Sequence, residues 1–90
     1  MKDFLESLGI TQTGNITDDG NYLIDFKKDD EWSKANSKLQ NSSEVVEIED
    51  ASTVAMEAIN IQYSTPDNKY LIIMTADFDA DTYKLICKEN

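Results

Sequence analysis

The sequence contains no histidine, no arginine, one cysteine, one proline and three glycines. Without histidine there is no imidazole base near neutral pH and no histidine-activated serine or cysteine nucleophile. Without arginine there is no bidentate clamp for phosphate or carboxylate groups. Gly9, Gly14 and Gly20 form neither a Walker A loop nor a dinucleotide-binding turn. We therefore predict that the protein is not an enzyme and has no cofactor.

Long apolar segments are also lacking. The longest apolar run, Tyr70 to Met74, is far below the roughly 20 residues that span a bilayer. The N-terminus carries Asp3 and Glu6 where a signal peptide needs an apolar stretch. The lone Cys87 cannot close an internal disulfide and, without histidine, cannot complete a zinc site. These features predict a cytoplasmic protein in which Cys87 is a buried, unreactive side chain.

Most of the charged residues are acidic. Eighteen acidic residues face eight lysines, so the formal net charge is −10. Hydrophobic residues make up 40% of the chain, which is enough for a small core and too much for a disordered acidic tail. A folded protein of this charge is repelled by nucleic acid and by anionic membranes. We therefore expect no direct binding to either.

Hydrophobic periodicity predicts two short helices in the first half. Phe4, Leu5 and Leu8 have helical spacing, which predicts a helix over about Lys2 to Leu8 with Gly9 after it. A second helix is predicted from about Asp30 to Gln40. The apolar stripe of this helix is Trp32, Ala35 and Leu39. Before the helix, the sequence predicts an extended arm, a turn over Asp18 to Asn21 and then a strand. The inward residues of that strand are Tyr22, Ile24 and Phe26.

The second half shows the two-residue period of strands. In the segment from Glu44 to Glu49, alternation predicts that Val46 and Ile48 face the core and that Glu47 faces solvent with Val45 and Glu49. Tyr70 to Met74 is apolar on both sides, which predicts a central strand. In the last strand, the predicted inward residues are Tyr83, Leu85 and Cys87.

One segment changes its period. Val54, Met56 and Ala58 have the opposite parity to Ile59, Ile61 and Tyr63. The break is explained either by a bulge in one long strand, which we favour, or by a short helical turn over Ala51 to Ala58. The whole chain, residues 1–90, is then one α+β domain: an antiparallel sheet of about five strands with two short helices on one face.

Asp77, Asp79 and Asp81 stand at the first, third and fifth positions of a sequence that begins like a calcium-binding EF-hand loop. The sixth position is Thr82 where the loop needs glycine, and the twelfth is Lys88 where it needs glutamate. The pattern therefore favours a polar hairpin tip, and we predict no metal site.

The acidic residues are unevenly distributed along the chain. Residues 44 to 81 hold nine acids and only Lys69, a net charge of 1 − 9 = −8. Carboxylates on one strand face are spaced by roughly 6 to 7 Å, near the spacing of phosphates along a DNA strand. Such a surface is expected to attract the basic groove of a nucleic-acid-binding protein. The predicted partner-binding residues are Glu44, Glu47, Glu49, Asp50, Asp77, Asp79 and Asp81.

The C-terminal hairpin resembles a known family. The segments from Tyr63 to Asp77 and from Tyr83 to Cys87, with Thr75 among the suggestive positions, are similar to the uracil-DNA glycosylase inhibitors of phages. The resemblance implies a small acidic α+β protein that imitates DNA and occupies the DNA groove of its target enzyme. The chain has no counterpart of that family's glutamate–serine edge strand, so no site residue is transferred from the family.

These observations predict a non-enzymatic acidic binding protein, a DNA-mimic inhibitor whose partner is a basic, nucleic-acid-binding enzyme. Two other classes of protein are consistent with the same features. An immunity protein or antitoxin would neutralise a basic toxin, and a structural or assembly domain would associate through an uncovered sheet edge or an apolar patch. The oligomeric state is left open by the sequence.

Overall fold

The structure, a computed structural model, describes every residue from Met1 to Asn90. Two helices, seven strands and one 3₁₀ turn follow each other along the chain. They are α1 (Lys2–Ser7), β1 (Asn15–Ile16), β2 (Tyr22–Phe26), α2 (Asp29–Asn41), β3 (Val46–Glu47), the 3₁₀ turn (Glu49–Ala51), β4 (Thr53–Val54), β5 (Ala58–Ser64), β6 (Tyr70–Asp77) and β7 (Thr82–Glu89). Neither helix has the length and apolar character needed to cross a membrane.

All strands belong to one antiparallel sheet in the order β1-β2-β7-β6-β5-β3, with β4 also paired to β5. The predicted α+β class with an antiparallel sheet and two helices is confirmed. The count of about five strands is too low, because the structure has seven. The extended arm contributes β1, and the 3₁₀ turn divides the edge of the sheet into the two-residue strands β3 and β4.

The core lies between α2 and one face of the sheet, called here the covered face. Trp32, Ala35 and Leu39 are buried at the predicted spacing. The indole N–H of Trp32 donates to the backbone carbonyl of Lys84 in β7, 3.1 Å away, so the helix is attached to the sheet as well as packed on it. The buried strand residues on this face are Tyr22, Ile24, Phe26, Ile61, Tyr63, Ile72, Met74, Ala76, Tyr83, Leu85 and Cys87.

Helix α1 closes one end of this core. Leu5 is buried, and the ring of Phe4 stacks on Tyr70 with 4.2 Å between centroids. Gly9 follows the helix with φ +87°, a conformation that a residue without a side chain adopts freely. The Lys38 ammonium of α2 donates to the Gly9 carbonyl at 2.6 Å. The two helices therefore lie together on the covered face.

The opposite face of the sheet carries no helix. Its side chains include Leu23, Leu71, Ile73 and Ile86, all partly exposed, and the ammonium groups of Lys84 and Lys88. Cys87 points the other way and is fully buried, as predicted. Burial raises the pKa of its thiol to about 11, so the reactive thiolate is scarce at neutral pH.

The predicted facing of β3 is wrong. Val45 is buried, whereas Val46 is 59% exposed and lies opposite Ser64 on the helix-free face. Glu47 pairs with Tyr63 and so belongs to the covered face, not to a solvated row of carboxylates. Val45 and Val46 are adjacent and equally apolar, so packing against the covered face, rather than alternation, decides which of them is buried.

The period break has a different cause from those expected. The chain reverses over Ala55 to Glu57, where the N–H of Ala55 donates to the carbonyl of Ala58 at 2.9 Å. Strand β4 then lies antiparallel to β5, with Val54 opposite Ile59. A helical turn does occur, but it covers Glu49 to Ala51, shares only Ala51 with the predicted segment and separates β3 from β4.

The assignment of the covered face predicts unequal costs for one chemical change. Leu85→Ala should lower the free energy of unfolding by about 2 to 5 kcal/mol, because Leu85 is fully buried. Leu23→Ala makes the same truncation on the partly exposed face and should cost less than about half as much. Urea denaturation of both variants measures the difference. Equal costs would contradict the placement of the core on one face.

Candidate functional site

Three of the seven predicted carboxylates meet at the β6–β7 hairpin. Asp77 ends β6, and one of its carboxylate oxygens accepts hydrogen bonds from the backbone N–H groups of Asp79 (3.1 Å) and Ala80 (3.0 Å). Asp81 adopts φ +55° in the same turn. Asp77 therefore holds the turn, while the Asp79 side chain is exposed and accepts no hydrogen bond.

A fourth carboxylate, which the sequence analysis did not select, joins this hairpin. The carbonyl of Glu57 accepts a hydrogen bond from the N–H of Phe78 at 2.9 Å, so the β4–β5 turn lies beside the hairpin tip. Glu57 is exposed. We call the four carboxylates of Glu57, Asp77, Asp79 and Asp81 the acidic rim. The sequence placed a period break near Glu57, but it did not indicate the contact with Phe78, which is distant in sequence.

Asp29 at the start of α2 lies close to the same end of the sheet. Burial first, and then the neighbouring carboxylates of Asp81 and Asp29, raise the pKa of the Tyr83 phenol. Lys27 and Lys28 follow β2 on this side. The end of the sheet is consequently most negative toward β5 and β6, where the acidic rim is, and less negative toward β2.

Glu47 is half-buried and has a different environment. It lies opposite Tyr63, whose hydroxyl donates to the side-chain carbonyl of Asn36 at 2.7 Å. Burial and then the negative charge of Glu47 raise the pKa of Tyr63 to about 12. Glu47 therefore lies on the covered face beside the polar contact between β5 and α2, and not in a solvated row of carboxylates.

Glu49 and Asp50 are exposed in the 3₁₀ turn at the edge of the sheet. The Ser52 hydroxyl fixes this turn, since it donates to the Ile48 carbonyl (2.9 Å) and accepts from the N–H of Gln62 (3.1 Å). The two carboxylates project from the side of β5, on the edge that leads to β4. Their turn lies level with Gln62, four residues from the Ala58 end of β5, so they form a second acidic group separate from the acidic rim.

Glu44 is separate from the other six. It lines a hollow with Thr65, Asp67 and Lys69 at the β5–β6 turn, the end of β6 opposite to the acidic rim. With eight residues in β6, the two ends are about 23 Å apart at about 3.3 Å per residue. The structure thus brings Asp77, Asp79 and Asp81 together, places Glu49 and Asp50 along the adjoining edge, and leaves Glu44 remote.

None of the seven carboxylates is neutralised by a lysine of the chain. The one ion pair, Lys2 with Glu6 at 4.0 Å, lies within α1. No group of three or more histidine, cysteine, aspartate or glutamate side chains is arranged to hold a metal ion. The acidic rim is therefore a surface of uncompensated negative charge.

Comparison of the chain with protein-family models, with curated proteins and with solved structures finds no match in any of the three. The resemblance of the hairpin to uracil-DNA glycosylase inhibitors accordingly stays a prediction.

The environment of Tyr63 predicts a loss of stability in alkali. A tyrosine pKa of about 10 in the unfolded chain is raised to about 12 on folding. The folded protein then holds the phenolic proton more tightly, so its contribution to stability is complete below pH 10 and is lost as the pH rises through 12. The free energy of unfolding should fall as the pH is raised from 9 to 12, and Tyr63→Phe should make that fall smaller.

Replacing Glu47 tests its part in this shift. Glu47→Gln should lower the pKa of Tyr63 only in part, because burial is the larger cause and is unchanged. Ultraviolet absorbance of tyrosinate during an alkaline titration measures the change. Glu49→Gln removes the same charge from the exposed 3₁₀ turn and should leave the titration of Tyr63 as it is. Equal shifts in both variants would contradict the placement of Glu47 beside Tyr63.

Proposed function

We propose that this chain is a non-enzymatic, DNA-mimic inhibitor that places its acidic rim in the basic groove of a nucleic-acid-binding enzyme. The observation that carries the proposal is the acidic rim itself: exposed carboxylates, on adjoining turns, without lysine partners. The lysines of the groove would supply the missing counter-charges. Glu49 and Asp50 extend the negative surface along the edge of the sheet.

Rigidity supports this function. Asp77 is bonded to two backbone N–H groups, and the Ser52 hydroxyl fixes the 3₁₀ turn that carries Glu49 and Asp50. Turns whose backbone is already ordered lose little conformational freedom when a partner binds. The long-range field of their carboxylates also speeds encounter with a basic surface, and added salt weakens that field.

Charge reversal at the acidic rim tests the proposal. Glu57→Lys with Asp79→Lys should weaken inhibition of the target by at least about tenfold at low salt, because neither side chain holds the fold and both would then repel the groove. The measurements are steady-state assays of uracil release by a purified uracil-DNA glycosylase and of DNA cleavage by a panel of nucleases. The loss should shrink at about 0.3 M salt.

A variant of equal charge supplies the control. Asp18→Lys with Glu89→Lys changes the net charge equally at exposed positions of the other end of the sheet, and should inhibit nearly as well as the original chain. Equal losses in both double variants would show a non-specific charge effect and would overturn the assignment to the acidic rim. Excess duplex DNA should displace the protein from its target. Binding that resists DNA would instead identify an immunity protein that docks outside the DNA groove.

A further inference from the structure

Exposed apolar side chains gather at the corner that carries the acidic rim. The large exposed apolar side chains of the molecule include Val54 (72%), Met56 (95%) and Phe78 (43%). Single exposed apolar residues are normal on a protein surface, but a group of them marks an interaction site. Ile16 and Val46, which are also exposed, lie elsewhere in the sheet.

The strand register and one turn contact bring these residues to the same corner of the sheet. Val54 pairs with Ile59, and Ile59 pairs with Ala76 on the covered face. The Phe78 N–H donates to the Glu57 carbonyl, and the Phe78 ring contacts Tyr83 edge-on with 6.1 Å between centroids. Met56 lies at the tip of the intervening turn. We call Val54, Met56, Ile59 and Phe78 the apolar patch.

The patch is open because α2 does not reach it. The helix is attached to β7 through Trp32 and to the far half of β5 through Asn36 and Tyr63. Tyr63 pairs with Ile72, near the end of the strands opposite to the patch. The helix therefore crosses the covered face diagonally, and the corner formed by β4 and the start of β5 has no cover.

We infer that the apolar patch is the anchor of the partner interface: it receives an apolar side chain of the target that is flanked by lysine or arginine. This inference rests on the proposed function and adds the chemistry of the partner. Protein interfaces place apolar anchors at the centre and charged groups around them. Here Glu57 follows Met56 in the same turn, and Asp77 and Asp79 flank Phe78 in the adjoining hairpin. The charges therefore select a basic surface around the anchor.

The same charges exclude other occupants. An anionic membrane would meet the acidic rim with like charge. A second copy of the chain, docked patch to patch, would oppose its own four carboxylates. A basic protein surface with an apolar side chain at its centre satisfies both the apolar patch and the acidic rim.

Two synthetic peptides of equal charge test the inference by nuclear magnetic resonance titration. The first is octalysine, and the second has the same charge around a central tryptophan. Both should shift the amides of Glu57 and Asp79 at low salt. The tryptophan peptide should also shift Val54, Met56 and Phe78, and should bind at least about tenfold more tightly at about 0.3 M salt, where screening leaves the apolar contact.

Variants at exposed positions separate the patch from the fold. Val54→Thr with Met56→Gln should abolish the advantage of the tryptophan peptide while octalysine binds as before. Ile16→Thr with Val46→Thr removes exposed apolar groups elsewhere and should keep the advantage. Loss in both variants, or no advantage in the original chain, would overturn the inference and leave the proposed function standing.

Two further outcomes of the titration can be told apart. Octalysine that causes no salt-dependent shift at Glu57 or Asp79 would count against the acidic rim, hence against the proposed function. Amide shifts at Val54 and Met56 that depend on protein concentration without peptide would show self-association through the apolar patch. That result would overturn the basic partner as its occupant.

Discussion

The path of α2 across the sheet is the constraint on which the rest of the structure depends. The helix has 13 residues and is about 20 Å long, and it is attached at two points by hydrogen bonds to β7 and β5. The two attachments lie toward opposite ends of the strands, so the helix crosses the covered face diagonally. Its diagonal course buries Tyr63 and Tyr83 and leaves the corner at β4 uncovered. The position of the helix thus determines which apolar side chains form the core and which form a surface.

Local periodicity predicted the parts of the fold that local patterns control. The stripe of Trp32, Ala35 and Leu39 and the inward residues of β7 are buried as expected, because a clear period distinguishes their two sides. In β3 two adjacent valines are equally apolar, so the sequence does not identify the inward one. The strand count was too low because the extended arm pairs with β2 as β1, and because the chain reverses over Ala55 to Glu57, which turns one predicted strand into β4 and β5.

The candidate site was predictable to a similar extent. The aspartates of the β6–β7 hairpin lie within five residues of each other, so their proximity follows from the turn. Glu57 joins them only through the non-local pairing of β5 with β6. Residues of equal charge also differ in their surroundings. Glu47 raises the pKa of the Tyr63 phenol, and the Asp77 carboxylate holds a turn, whereas the Asp79 carboxylate is exposed and accepts no hydrogen bond. Composition identified an acidic surface, and the sheet register determined its members.

Apolar and acidic groups at one corner have complementary effects. Exposed apolar side chains such as Met56 and Phe78 favour self-association, because burying them removes apolar surface from water. The carboxylates around it oppose that association between like molecules, since each copy brings the same charge. A basic partner reverses the sign of the electrostatic contribution and leaves the apolar one unchanged. Under the proposed function, the same side chains therefore oppose contact between identical chains and favour contact with a lysine- or arginine-rich surface.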